Sequence, residues 1–206
     1  MKYFILIFIG LITLVIITSC GLIRTSSADK ETERIAKEYG GIYVFDKKLR
    51  DEIIQREKER EEARQKVTLG DTFWEQIEAI DKNLPQILSN GCKYFAKGLS
   101  VQEYERTDLS PYKEKIKEYT GEEAYNILHK GLFVSSYYVD KNNKVIPITF
   151  YTYIYDTITT YGLYGDEGAG FRLTERYSVG IAGDNIFYLE NGKFIKSDEK
   201  GKGARH

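Results

Sequence analysis

The chain has 206 residues, with 30 basic and 31 acidic side chains and a formal net charge of −1. A balance this close to neutral excludes the basic surface that a nucleic-acid partner demands, and the length suffices for one domain with a real hydrophobic core. Tyrosine is frequent, at 17 residues, whereas histidine occurs only twice, which leaves little material for an imidazole-based metal site.

Met1-Lys2-Tyr3 opens the chain with one positive charge, Phe4 to Ile17 is almost wholly apolar, and Ile17-Thr18-Ser19-Cys20-Gly21 closes the stretch with small residues up to a cysteine. These are the three parts of an export signal. The apolar run falls short of the roughly 20 residues that a spanning helix needs. The segment resembles the bacterial lipoprotein signal, in which a lipid is joined to the cysteine thiol and the peptide is cut just before it. The resemblance implies a signal peptide of residues 1–19, lipidation of Cys20 and attachment to the membrane on its extracytoplasmic side. More than one acyl chain makes such attachment stable. In a host with two membranes, the absence of Asp at position 21 points to the outer one. A plain secretory signal ending near Ser19 and an uncut N-terminal anchor are the rival readings. Cleavage would leave 29 basic and 31 acidic side chains over 187 residues. With Cys20 lipidated, Cys92 is the only free thiol, which excludes an internal disulfide and fits a buried, inert cysteine.

Residues 20–28 read as a lipidated tether. Asp29 then caps a helix through Tyr39, whose first turn carries Glu31 and Glu33. Gly40-Gly41 stops that helix, and Ile42-Tyr43-Val44-Phe45 reads as a strand. Asp46 caps a helix from Lys47 to about Lys66. Its apolar residues lie near its start, so its charged second half reads as solvated. Between Asp71 and Leu88, the spacing of Phe73, Trp74, Ile77, Ile80, Leu84 and Leu88 predicts a helix with one buried face, broken by Pro85. Ser110-Pro111 begins another helix through Tyr119, and Thr120-Gly121 leads into a further one.

From Leu132 the period alternates. Leu132–Val139 and 144–155 read as strands joined by a turn at Asp140-Lys141-Asn142-Asn143, with Pro147 marking an edge or a bulge. Phe171–Val179 is the cleanest strand, with Phe171, Leu173, Tyr177 and Val179 on one side. Ile186–Glu190 and Lys193–Lys196 form a hairpin across Asn191-Gly192. Residues 198–206 read as a frayed tail. The expected class is α+β, a helical N-terminal half followed by an antiparallel sheet of about five strands, with residues 29–197 as a single domain.

Motifs for chemistry are sparse. Gly162, Gly165, Gly168 and Gly170 are followed by a strand and not by the helix that a phosphate cradle requires, so they read as a connection between strands. Asp166 and Glu167 between them supply too few oxygens for a metal site. His129 sits near a helix end and His206 in the tail, neither at ligand spacing. No cofactor and no metal are expected. Glu175 is the one charge on the apolar side of its strand, so it is either buried and paired or at a sheet margin. Tyr151, Tyr153 and Tyr155 recur at alternate positions and form a candidate recognition face for an envelope protein or glycan. The reading is a lipid-anchored envelope protein with a binding or structural role. A carboxylate-dependent hydrolase acting on envelope glycans, and an immunity-type lipoprotein that neutralises a toxin, are the alternatives.

Overall fold

A computed structural model describes residues 2–19, 23–166, 168, 170–181 and 183–201. The first half of the chain contains α1 (Lys2–Ser19), β1 (Ile23–Ser26), α2 (Lys30–Tyr39), β2 (Gly41–Val44), α3 (Lys47–Arg64), α4 (Phe73–Asn83), β3 (Lys93–Phe95) and α5 (Val101–Glu105). The second half contains α6 (Ser110–Thr120), α7 (Glu122–Leu128), β4 (Leu132–Val139), β5 (Val145–Thr152), β6 (Ile154–Asp166), β7 (Gly170–Ile181), β8 (Asn185–Glu190) and β9 (Lys193–Lys200). The class is α+β, with helices concentrated in the first half. Where the sequence predicts one domain over residues 29–197, the chain forms two compact units, Met1–Arg34 with Ile154–Ile181, and Ile35–Tyr153 with Ala182–His206.

The second of these units is built on a six-stranded sheet in the order β3-β4-β5-β2-β8-β9. Its neighbours are antiparallel except β2 and β8, which run parallel. Alternation sends side chains to both faces. One face carries Tyr43, Val134, Tyr137, Phe150, Phe187 and Phe194, covered by Leu109 and by Ile116 of α6. The rings of Tyr43 and Phe187 stack at 4.6 Å, and Phe194 meets Tyr43 edge-on at 5.2 Å. The other face packs Ile148 and Tyr94 with Ile53 of α3, and Val44 with Ile186 and Tyr188.

The parallel pair depends on a buried corner. Gly40 and Gly183 lie backbone to backbone, so that a Cβ on Gly183 would sit 2.2 Å from the Gly40 carbonyl oxygen and 2.4 Å from that of Ala36. Asn185, 2% exposed, donates its amide to the carbonyls of Lys37 (2.9 Å) and Gly40 (2.8 Å), closing the end of α2. Thr152 accepts the Gly41 N–H at 2.8 Å from the opposite neighbour. Helix-end carbonyls left without partners in the interior would carry a desolvation cost.

Pro147 lies inside a central strand, and the ladder tolerates it through an irregularity. The β4–β5 register shifts on both sides of Ser136, where Ile148 has no cross-strand partner in the pairing.

Two expectations are corrected in α3 and α4. The charged half of α3 is not a solvated spacer, because its inner stripe continues in polar residues. Arg60 is 3% exposed and bonds the Leu84 carbonyl and, at 2.5 Å, Asp81 of α4. Glu57 accepts from Tyr94 Oη at 2.8 Å and from Gln86 at 2.9 Å. Trp74, expected in the core, is 77% exposed, and its helix keeps Ile77 and Ile80 only half-buried. An apolar periodicity count misses α3 because its packing atoms are guanidinium and carboxylate groups.

The first unit holds α1 and a three-stranded sheet in the order β1-β6-β7, antiparallel throughout. Among the described residues no helix is long and apolar enough to cross a membrane. Along α1 the residues Tyr3 to Ile9 are all more than half exposed. The predicted tether lies partly outside the described residues, and its described part, Ile23–Ala28, is ordered as β1 and a clasp on Asp156.

These environments rank two substitutions in the reverse of their hydrophobicity. Arg60→Leu takes the donor from the half-buried Leu84 carbonyl and removes the tie to Asp81, and is expected to lower unfolding free energy by about 1–3 kcal/mol. Trp74→Ala is expected to change it by no more than about 0.5 kcal/mol. Urea titration of the two variants against the parent chain measures both.

Candidate functional site

Tyr151, Tyr153 and Tyr155 do not share a face. Tyr151 lies in β5 between Ile42 of β2 and Phe133 of β4 and is 4% exposed. The strand ends at Thr152, and Tyr153 leaves the ladder with its N–H bonded to the Gly131 carbonyl at 2.9 Å. Tyr155 belongs to the other sheet, opposite Gly180, and is 66% exposed. The single strand expected over 144–155 is thus two strands in two sheets, and the candidate face is withdrawn. Its alternation continues through the break, so the pattern alone does not reveal it.

The tyrosine abundance has a different explanation. Three tyrosines project from the sheet of the larger unit, and each donates its hydroxyl to a carboxylate. Tyr94 reaches Glu57 at 2.8 Å, Tyr137 reaches Glu103 at 2.8 Å, and Tyr188 reaches Glu199 at 2.9 Å. Burial first, and then the hydrogen-bonded carboxylate, raises the pKa of each. Tyr188 is pushed up to about 12, with the Arg50 charge opposing the rise. All three therefore keep their protons at neutral pH and act as donors, not as general bases. Glu103 is held by a capping box with Ser100, whose sequence pattern Ser-x-x-Glu marks the start of α5.

The other residues of chemical interest are dispersed. Glu175 is half-buried and pairs with Arg172 at 2.8 Å. Cys92 is buried and free of disulfide. His129 contacts the Tyr125 carbonyl through Nδ1 at 3.1 Å and stacks on the Tyr125 ring. No group of His, Cys, Asp and Glu able to hold a metal ion occurs among the described residues. Cys20, Glu167 and His206 lie outside the described residues, as does the side chain of Asp166. A cleft of about 460 Å³ in the larger unit has Arg60, Arg64 and Lys93 in its wall, with Asp81 the acidic residue beside them. Asp81 is engaged by Arg60, so this cleft has no pair of free carboxylates for acid–base work.

The small sheet presents the candidate surface. Phe171, Leu173, Tyr177 and Val179 alternate along β7 as the sequence predicts, but all are exposed, Leu173 by 73%. Between Tyr161 and Tyr164 the β6–β7 register shifts, so that Gly162 and Leu163 together stand opposite Leu173. The strands then join through a turn that only glycine permits at its start. Gly165 has φ of 113°, and a Cβ there would sit 1.9 Å from the Gly170 carbonyl oxygen. The glycine series is thus a hairpin turn, in line with its reading as a connection between strands.

Asp156 locks the entering chain to this hairpin. Its carboxylate accepts from Ser26 Oγ (2.8 Å), Ser27 N (2.9 Å), Ser27 Oγ (3.0 Å) and Ala28 N (2.8 Å). Burial alone would raise its pKa, but these four donors outweigh burial and hold it below the ordinary value of 3.8.

No protein-family model, known protein sequence or solved structure used for comparison matches this chain. The functional reading therefore rests on its own residues.

Two outcomes follow from these environments. Tyr151→Ser is expected to cost about 3 kcal/mol or more of stability, as loss of a buried aromatic ring does. Tyr155→Ser is expected to stay within about 0.5 kcal/mol of the parent in the same urea titration. The Asp156 clasp stabilises its unit above the ordinary carboxyl pKa, and the contribution is lost as pH falls through the lower folded-state value. Asp156→Asn should therefore speed amide exchange of Ser27 and Ala28 near neutrality, with the difference from the parent closing in strong acid.

Proposed function

We propose that the chain is exported as a lipoprotein precursor, cut before Cys20 and lipidated there, and that it serves outside the cytoplasmic membrane in a binding or structural role. The observation that carries this reading is the charged start and apolar run that close in small residues at Cys20. Strand β1 joins its sheet at Ile23, three positions after Cys20, and the Asp156 clasp holds the other end of the strand at Ser26 to Ala28. A lipid on Cys20 would hold the hairpin sheet itself at the membrane, with almost no free tether between them. The exposed apolar residues Tyr3 to Ile9 of α1 support export as well, since they suit a lipid or translocation environment better than water.

A binding or structural role is favoured over catalysis by what the carboxylates do. Glu57, Glu103, Glu199, Asp81, Asp156 and Glu175 are each committed to a partner that stabilises the fold. The apolar hairpin, with Leu163, Phe171 and Leu173 exposed, is a surface suited to binding.

Mass spectrometry of the mature N-terminus, after expression of the full chain in a bacterial host, is the direct test. The expected product begins at Cys20 and carries a diacylglyceryl group, and Cys20→Ala is expected to accumulate as uncut precursor. An unmodified Cys20, or cleavage at another site, would overturn the anchor.

A further inference from the structure

We infer that the β6–β7 hairpin is a second membrane contact, lying along the bilayer surface with Leu163, Phe171 and Leu173 in the interfacial layer. The inference rests on the lipid anchor proposed at Cys20.

The direction of the strands places the apolar patch beside the anchor. β1 runs antiparallel to β6, with Ile23 opposite Tyr161 and Ser26 opposite Ile158. The chain therefore enters from Cys20 at the end of the sheet where the hairpin turns, and not at its base. Three residues span at most roughly 10 Å when extended. Leu163, Phe171 and Leu173 occupy that same end and are 56%, 65% and 73% exposed. Tyr177, on the same face as Phe171 and Leu173, is an amphipathic ring suited to headgroup level, whereas Ile23 and Tyr161 lie on the other face of the sheet. An apolar patch of this kind on a soluble surface marks an interaction site.

The charges on the sheet suit a lipid surface. Arg24, exposed and in register with Thr160 and Glu175 on the face of Phe171 and Leu173, can lay its stem on apolar surface while its guanidinium reaches a phosphate. Glu175, which interrupts the apolar face, is neutralised by Arg172 at 2.8 Å. The contact lays the hairpin flat, on the face that Phe171, Leu173 and Tyr177 share. Tethering does the rest: one lipidated residue holds the patch at high effective concentration beside the bilayer, so that a weak contact is populated. In the uncut chain α1 approaches β6, and cleavage before Cys20 removes that apolar neighbour from the sheet.

The test places a reporter in the patch of the lipidated protein. The full chain is expressed with Trp74→Phe and Phe171→Trp, and its product is reconstituted into vesicles of phosphatidylethanolamine and phosphatidylglycerol. Emission is expected to shift to shorter wavelength and to lose most of its intensity when brominated acyl chains are present. Leu173→Glu added to the reporter chain is expected to abolish both effects while leaving the circular dichroism unchanged. Water-like, unquenched emission from protein that carries the lipid and floats with the vesicles would overturn the proposal. A blue shift without quenching that grows with protein concentration would also overturn it, assigning the face to a second copy of the chain. Mass spectrometry of the same sample separates the two claims. If Cys20 is unmodified, the anchor fails on its own, and the hairpin contact then stands if the unlipidated chain is quenched by the vesicles and falls if it is not.

Discussion

Asn185 closes the end of α2 from a position 148 residues further along the chain, and the order of the six-stranded sheet depends on that closure. Its amide supplies the donors that the carbonyls of Lys37 and Gly40 lack, and in doing so brings β8 beside β2 in parallel. Gly40 and Gly183 make the approach possible, because neither leaves room for a Cβ. From that junction the sheet extends one way through β5 and β4 to β3 and the other way to β9. The aromatic layer on one face, centred on Tyr43 and Phe187, is the direct product of the parallel pair, since these two residues are cross-strand partners in it.

The remaining polar groups of the larger unit follow one pattern. Tyrosines rise from the sheet with their rings in the core and their hydroxyls at the margin, where Glu57, Glu103 and Glu199 receive them. A ring with a polar tip can fill a core that ends at a charged helix, which neither Phe nor Leu could do without leaving the carboxylate unsatisfied. The abundance of tyrosine thus belongs to the architecture of the fold. The hairpin of the other unit, which Asp156 binds to Ser26, Ser27 and Ala28, carries exposed Leu163, Phe171 and Leu173. With the lipid proposed at Cys20, the end of the hairpin's sheet where Ile23 enters would be held beside the bilayer, and those three side chains are exposed at that end.

Much of this was legible wherever the signal is local. Asp29 and Asp46 cap their helices through Thr32 N and Leu49 N, Pro111 stands in the first turn of α6, and Asn191-Gly192 turns the last hairpin with positive φ at both residues. Strand β4 runs from Leu132 to Val139 as its alternation indicates. What escaped the sequence is set by distant contacts. The pairing of β2 with β8 has no local signature. The break at Tyr153 interrupts a run whose alternation continues unchanged on both sides. Strand β6 is rich in Thr and Tyr, a composition with high strand propensity but no apolar period to mark it. The inner stripe of α3 is charged, so its burial appears only once Asp81, Tyr94 and Gln86 are brought against it. The exposure of Phe171 and Leu173 is likewise invisible in an alternation that reads as a core strand.

Amide hydrogen exchange on the Asn185→Ala chain tests the dependence of the sheet on its corner most directly. Loss of the buried donor is expected to lower global stability by about 2–3 kcal/mol, and amides across α2, β2 and β8 should lose protection together. A loss confined to the last turn of α2, with β2 and β8 as well protected as in the parent chain, would contradict it.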